Sequence, residues 1–162
     1  LIHDDLEECI YIFVPLKSER LKEFALTLVR TIRRLLDSDA YLDKAYTARS
    51  LQLDKYACQV IVGDMHMKVY ISAPGDGLLA IANHFAEDTY DAVDEDALDN
   101  VGEFINCVNG LFATNLSYDD ITIDMNSPEY SVDGPFISNE KLYVIPIHAN
   151  GYSFRAVLEV YE

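Results

Sequence analysis

Asp99, Glu103, Asn106 and Gly110 follow one another at intervals of four, three and four residues. On a helix that spacing makes one stripe, so these side chains can address a single partner surface together. The Asn106 carboxamide both accepts and donates hydrogen bonds and does not compete for a proton near neutral pH. Gly110 costs about 1 kcal/mol relative to Ala inside a helix. On an exposed face it removes bulk and lets another backbone come close. Polar groups beside a bare patch suit docking. Taken alone the pattern is weak, because any surface helix carries Glu and Asn. The plain alternative is a solvated face with Gly110 packed against a neighbouring element.

Other residues with chemical potential are scattered. Cys9, Cys58 and Cys107 are far apart and form no C-x-x-C, which fits buried thiols in a reducing cytosol better than a disulfide framework. His3, His66, His84 and His148 form no His-x-x-x-His or His/Cys pair, so a zinc site is not expected. No cofactor or metal is expected on this chain.

The stripe needs a helix, and the sequence supplies one from about Asp94 to Thr114. Leu98, Val101, Phe104, Ile105, Val108, Leu111 and Phe112 fall on one core-facing arc, opposite the polar stripe. Glu87, Asp88, Asp91, Asp94, Glu95, Asp96 and Asp99 lead into it, where acids favour the positive N-terminal end. Upstream, Leu21, Phe24, Ala25, Leu28, Ile32, Leu35 and Leu36 predict an amphipathic helix of about 20 residues after an N-cap at Ser18. Its other face, with Arg20, Lys22, Arg30, Arg33 and Arg34, reads as a solvated flank.

Between the helices, Ala57–Val62 and His66–Ser72 flank Gly63-Asp64 and predict a hairpin, preceded by a mixed stretch with room for one strand. Leu78–Ala86 reads as a short helix. After the second long helix come a strand at Ile121–Met125, turns at Ser127-Pro128 and Asp133-Gly134-Pro135, and a hairpin pairing Leu142–Ile147 with Tyr152–Val160. Residues 1–14 fit a strand or a helix, with Ile10–Val14 apolar and Leu6, Cys9, Ile10 and Phe13 at helical spacing. The expected fold is α+β: an antiparallel sheet with long helices packed on one side and two pseudo-symmetric halves. A single domain is expected over residues 16–162, preceded by an extension of uncertain structure at 1–15. The chain opens on Leu1 rather than Met, as a trimmed or excised segment would.

Twelve basic against 28 acidic residues leave a net charge of −16. Residues 1–34 hold six of each, so the whole excess lies in 35–162. Such a surface repels phosphate backbones and anionic lipid, which disfavours nucleic acid and membranes as partners. It either maintains solubility or steers a partner that offers positive charge. No apolar run approaches the roughly 20 residues of a membrane span, and nothing reads as a signal peptide. A cytoplasmic location is expected.

Asp99-x-x-x-Glu103-x-x-Asn106 followed by Pro128 resembles the signature of the CheC/CheX/FliY group of chemotaxis phosphatases, in the CheC-like superfamily. The gap from Asn106 to Pro128 holds 21 residues, one fewer than is usual there. Asp96–Gly110, Ser127–Gly134, Val144–Ile147 and Gly151–Phe154 are also similar to the CheX helix, turn and closing hairpin, and the likeness covers roughly 16–162. The first helix has no second copy, since Glu19 is followed by Lys22 and Glu23 by Leu26 at the required interval. One site on one helix is the CheX pattern.

The resemblance implies removal of phosphate from the aspartyl phosphate of a CheY-type response regulator, a two-component signalling protein. Asn106 would position the attacking water, and Glu103 would pair with a lysine of the regulator. Asp99 and Gly110 would be accessory docking residues. Mg²⁺ would sit in the regulator's active site. A homodimer formed with help from strand edges is also implied. The alternatives are a catalytically silent module that binds a response regulator on the same fold, and a plain dimeric structural domain.

Overall fold

A computed structural model describes residues 18–84 and 89–161 of the chain. Its elements, in order, are α1 (Glu19–Leu35), β1 (Tyr41–Leu42), β2 (Tyr46–Gln52), β3 (Lys55–Gly63), β4 (Met67–Ala73) and α2 (Leu79–Ala82). Then follow α3 (Glu95–Ser117), β5 (Ile123–Met125), β6 (Glu129–Ser131), β7 (Phe136–Ala149) and β8 (Tyr152–Val160). The readings on residues 1–14, on Cys9 and His3, and on Glu87 and Asp88 lie outside the described residues.

The eight strands form one sheet in the order β1-β7-β8-β4-β3-β5, with β2 also on β7 and β6 also on β3. Every pairing is antiparallel. The two expected hairpins, β3–β4 and β7–β8, meet along β4 and β8, with Val69 opposite Leu158 and Ile71 opposite Ala156. Gly63 closes the first at φ +108°. Asn150 and Gly151 close the second with φ of 51° and 78°, the left-handed pair that a tight hairpin turn demands.

Strand alternation sorts the side chains onto two faces. Ala57, Ile61, Val69, Ile71, Ile145, Ala156 and Leu158 join the main core with buried apolar residues of α1, α2 and α3. Cys58, Tyr70, Leu142, Val144 and Val157 form a smaller cluster on the opposite face. Burial pushes the Cys58 thiol up to about 11, with Glu129 adding to the effect and Lys68 opposing it. Phe24 of α1 meets Phe112 of α3 edge to face at 5.3 Å between ring centres, both fully buried.

Several details differ from expectation. The mixed stretch carries two strands, β1 and β2, and both pair with β7. The short helix covers Leu79–Ala82 and is capped at Asn83, while Phe85 and Ala86 of the predicted Leu78–Ala86 lie outside the described residues. Ser18 occupies the N-cap of α1, but its side chain makes no capping hydrogen bond. Leu111, expected in the core, is 37% exposed, because it sits at the margin of the apolar arc. Among the described residues no helix is long and apolar enough to cross a membrane.

Candidate functional site

The helix α3 starts where its chemistry says it should. Asp94 is extended at the N-cap and its Oδ1 accepts from the Ala97 main-chain N–H at 2.9 Å. Such a cap contributes about 0.5–2 kcal/mol, and Glu95 and Asp96 in the first turn complement the helix dipole. The inner face is anchored by Leu98, Val101, Phe104, Ile105, Val108 and Phe112, each no more than 2% exposed. Gly102 gives the Pro128 loop its seat: a Cβ there would stand 3.1 Å from the Pro128 ring. That contact brings the Asn126–Pro128 segment against the same turn of helix that carries Glu103 and Asn106.

Asp99, Glu103 and Asn106 are all exposed on the outer face. One turn of helix separates Glu103 from Asn106, a Cβ spacing of about 5–6 Å. Among the described residues nothing pairs with the Glu103 carboxylate. Gly110 is partly exposed, and a Cβ built on it meets nothing within 4 Å. Among the described residues the patch is bare, and none of them packs against Gly110 as the alternative requires. Gly110→Ala is therefore expected to raise stability by about 0.5–1 kcal/mol through helix propensity alone. Thermal unfolding of the variant checks this, and a lowered Tm would contradict the open face.

Asn106 differs from Glu103 in being held. Its Oδ1 accepts from Gln59 Nε2 on β3 at 2.9 Å. The same Nε2 donates to the Asn126 main-chain oxygen at 2.8 Å, and Gln59 Oε1 accepts from Asn109 Nδ2 at 2.8 Å. Gln59 and Asn109 are buried. Sequence reasoning passed over both. The available signal was an amide inside the apolar run Ala57–Val62, and an Asn one turn beyond Asn106 on the inner side of the helix. Among the described residues no three His, Cys, Asp or Glu side chains converge as a metal site would require.

The model of the family described as chemotaxis phosphatase CheX matches residues 56–148. No curated protein sequence matches the chain. Among solved structures, a chemotaxis protein CheX from Desulfovibrio desulfuricans is 19% identical, with a TM-score of 0.73 over 89% of this chain and 100% of that one. A CheC-like superfamily protein from Shewanella is 18% identical, with a TM-score of 0.73 over 88% of this chain and 97% of that one. A CheX–CheY–BeF3–Mg²⁺ complex from Borrelia burgdorferi contains a chain 16% identical, with a TM-score of 0.63 over 89% of this chain and 99% of that one. At these identities the solved structures establish the shared fold.

Proposed function

The chain belongs to the CheX family of chemotaxis phosphatases, and from that premise we propose that it hydrolyses the aspartyl phosphate of a CheY-type response regulator. The observation that carries this reading is an exposed carboxylate and an exposed but tethered carboxamide, one turn apart on α3. The complex of a CheX with CheY supports the choice of partner. An acyl phosphate is already reactive, so a water must be held in line and little covalent help is needed. The water oxygen bonds to phosphorus as the bond to the aspartyl oxygen breaks. Inorganic phosphate and a free aspartate carboxylate result, and the water's proton passes to phosphate or solvent.

Asn106 orients that water through its amide. Glu103 pairs with a regulator lysine and fixes the docking register, with Asp99 as an accessory acid. The bare surface at Gly110 lets the regulator's backbone approach. The regulator's own Mg²⁺ and lysine supply the neutralisation of charge on the phosphoryl oxygens. The acidic excess after residue 34 favours a partner that offers this positive charge. The same reading takes residues 16–162 as one domain of two related helix-and-hairpin halves, and as half of a homodimer. The meeting of the two hairpins along β4 and β8 supports the two halves.

A small fraction of an equivalent of this protein should clear a full equivalent of phosphorylated regulator with release of inorganic phosphate. A silent binding module would leave the decay unchanged, and that result would overturn the reading. Glu103→Gln keeps the shape and removes the charge. It is expected to weaken regulator binding about 10- to 100-fold, since it leaves a docked lysine without its partner. Titration calorimetry checks this, and an unchanged Kd would remove Glu103 from the docking surface.

A further inference from the structure

We infer, resting on the reading above, that Gln59 is a positioning residue that sets the rotation of the Asn106 carboxamide from within the sheet. Gln59 is 1% exposed on β3, between the apolar neighbours Cys58 and Val60. A buried amide is tolerated when its donors and acceptor are met. Here Nε2 donates twice, to the Asn126 main-chain oxygen and to Asn106 Oδ1, and Oε1 accepts from Asn109 Nδ2.

The Asn126 carbonyl decides the arrangement, because a carbonyl only accepts. It fixes which limb of Gln59 is nitrogen. Gln59 then fixes oxygen as the limb that Asn106 turns toward the sheet, and nitrogen as the limb that Asn109 turns toward Gln59. One backbone carbonyl thus orders three side-chain amides. An unheld Asn rotates broadly about its last torsion and presents either limb. With Oδ1 tied inward, Nδ2 is left on the exposed side, and no described residue partners it. The oxygen keeps a second lone pair. The carboxamide that faces the regulator is thereby presented in one rotation before docking, and a small misplacement of such a group can cost about 100-fold in rate. The loop that supplies the Asn126 carbonyl is the one seated on Gly102 by Pro128. Pro128 therefore acts on the same amide through the backbone.

Gln59→Met, close in length but without donor or acceptor, tests this. Decay of the phosphorylated regulator at saturating variant should slow about 10- to 100-fold while the Kd for the regulator is unchanged. Gln59→Leu should behave alike, since it too is apolar and offers neither donor nor acceptor to Asn106 Oδ1 and the Asn126 carbonyl. Wild-type rates in either folded variant would overturn the inference. So would rate and affinity falling together, which marks a purely structural role. If both variants fail to fold, side-chain amide hydrogen exchange in the wild-type protein decides. Gln59 Nε2 protons should be protected and Asn106 Nδ2 protons should exchange at solvent rates, and the reverse pattern would overturn the assignment. A wild-type protein that leaves regulator decay unaltered would sink the phosphatase reading, whereas the exchange pattern would still judge the hold of Gln59 on Asn106.

Discussion

Asn106→Ala is expected to return the decay of the phosphorylated regulator to the rate of the regulator alone, with binding intact. The side chain sits on the exposed face, and among the described residues its one tether runs to Gln59. Truncation therefore opens no core cavity, and the freed Gln59 hydrogen lies next to an exposed position that solvent can reach. Stability should fall by less than about 1.5 kcal/mol, the scale of one ordinary hydrogen bond. The loss in rate is of another size. Removing one preorganised polar group from a transition-state site costs about 100- to 1,000-fold, and here that group is proposed to be the one that orients the water. Glu103 remains in place to hold the register, so the Kd should not move. Full stimulation by this variant, measured by loss of the phosphorylated regulator over time, would remove Asn106 from the mechanism.

Phe112→Ala is expected to cost about 3–5 kcal/mol, the range for deleting a buried aromatic. The ring is fully buried and packs edge to face on Phe24, so the variant loses apolar burial and an aromatic pair together. The pair also links α1 to the later turns of α3, beside the hydrogen bond from Asn115 Nδ2 to Thr27 Oγ1 at 3.2 Å. Against a typical total of about 5–15 kcal/mol, the loss is large enough to loosen the helix that carries the site. For a chain of this size it corresponds to a fall in Tm of roughly 6 to 20 °C. Differential scanning calorimetry checks the value, and an unchanged Tm would mean the two helices are not braced through these rings.

The start of α3 was legible because Asp94 and the spacing of Leu98, Val101, Phe104 and Ile105 each signal a helix independently. Its end was not. The helix runs on to Ser117 because Leu116 falls one turn beyond Phe112 and is buried, and no Gly or Pro intervenes. The hairpins were legible from alternation and from Asn150-Gly151. By contrast β6 and the first residues of β7 exist only by pairing with β3 and β2, at Cys58↔Glu129 and Leu51↔Ile137, which local composition does not announce. The polar stripe of Asp99, Glu103 and Asn106 follows from helical period alone. The amide relay behind it does not. Gln59 lies 47 residues from Asn106 and 67 from Asn126, and only the sheet register brings them into hydrogen-bonding range.

The most direct measurement is the structure of this chain bound to a beryllofluoride-loaded, Mg²⁺-containing CheY-type regulator. In that complex α3 should lie across the regulator's phosphorylation site, with the Glu103 carboxylate on a regulator lysine. The Asn106 amide should stand within about 3 Å of a water in line with the beryllium. A complex in which α3 faces away from that site, or in which Asn106 stays directed only at Gln59 with no water between it and the beryllofluoride, would contradict that placement.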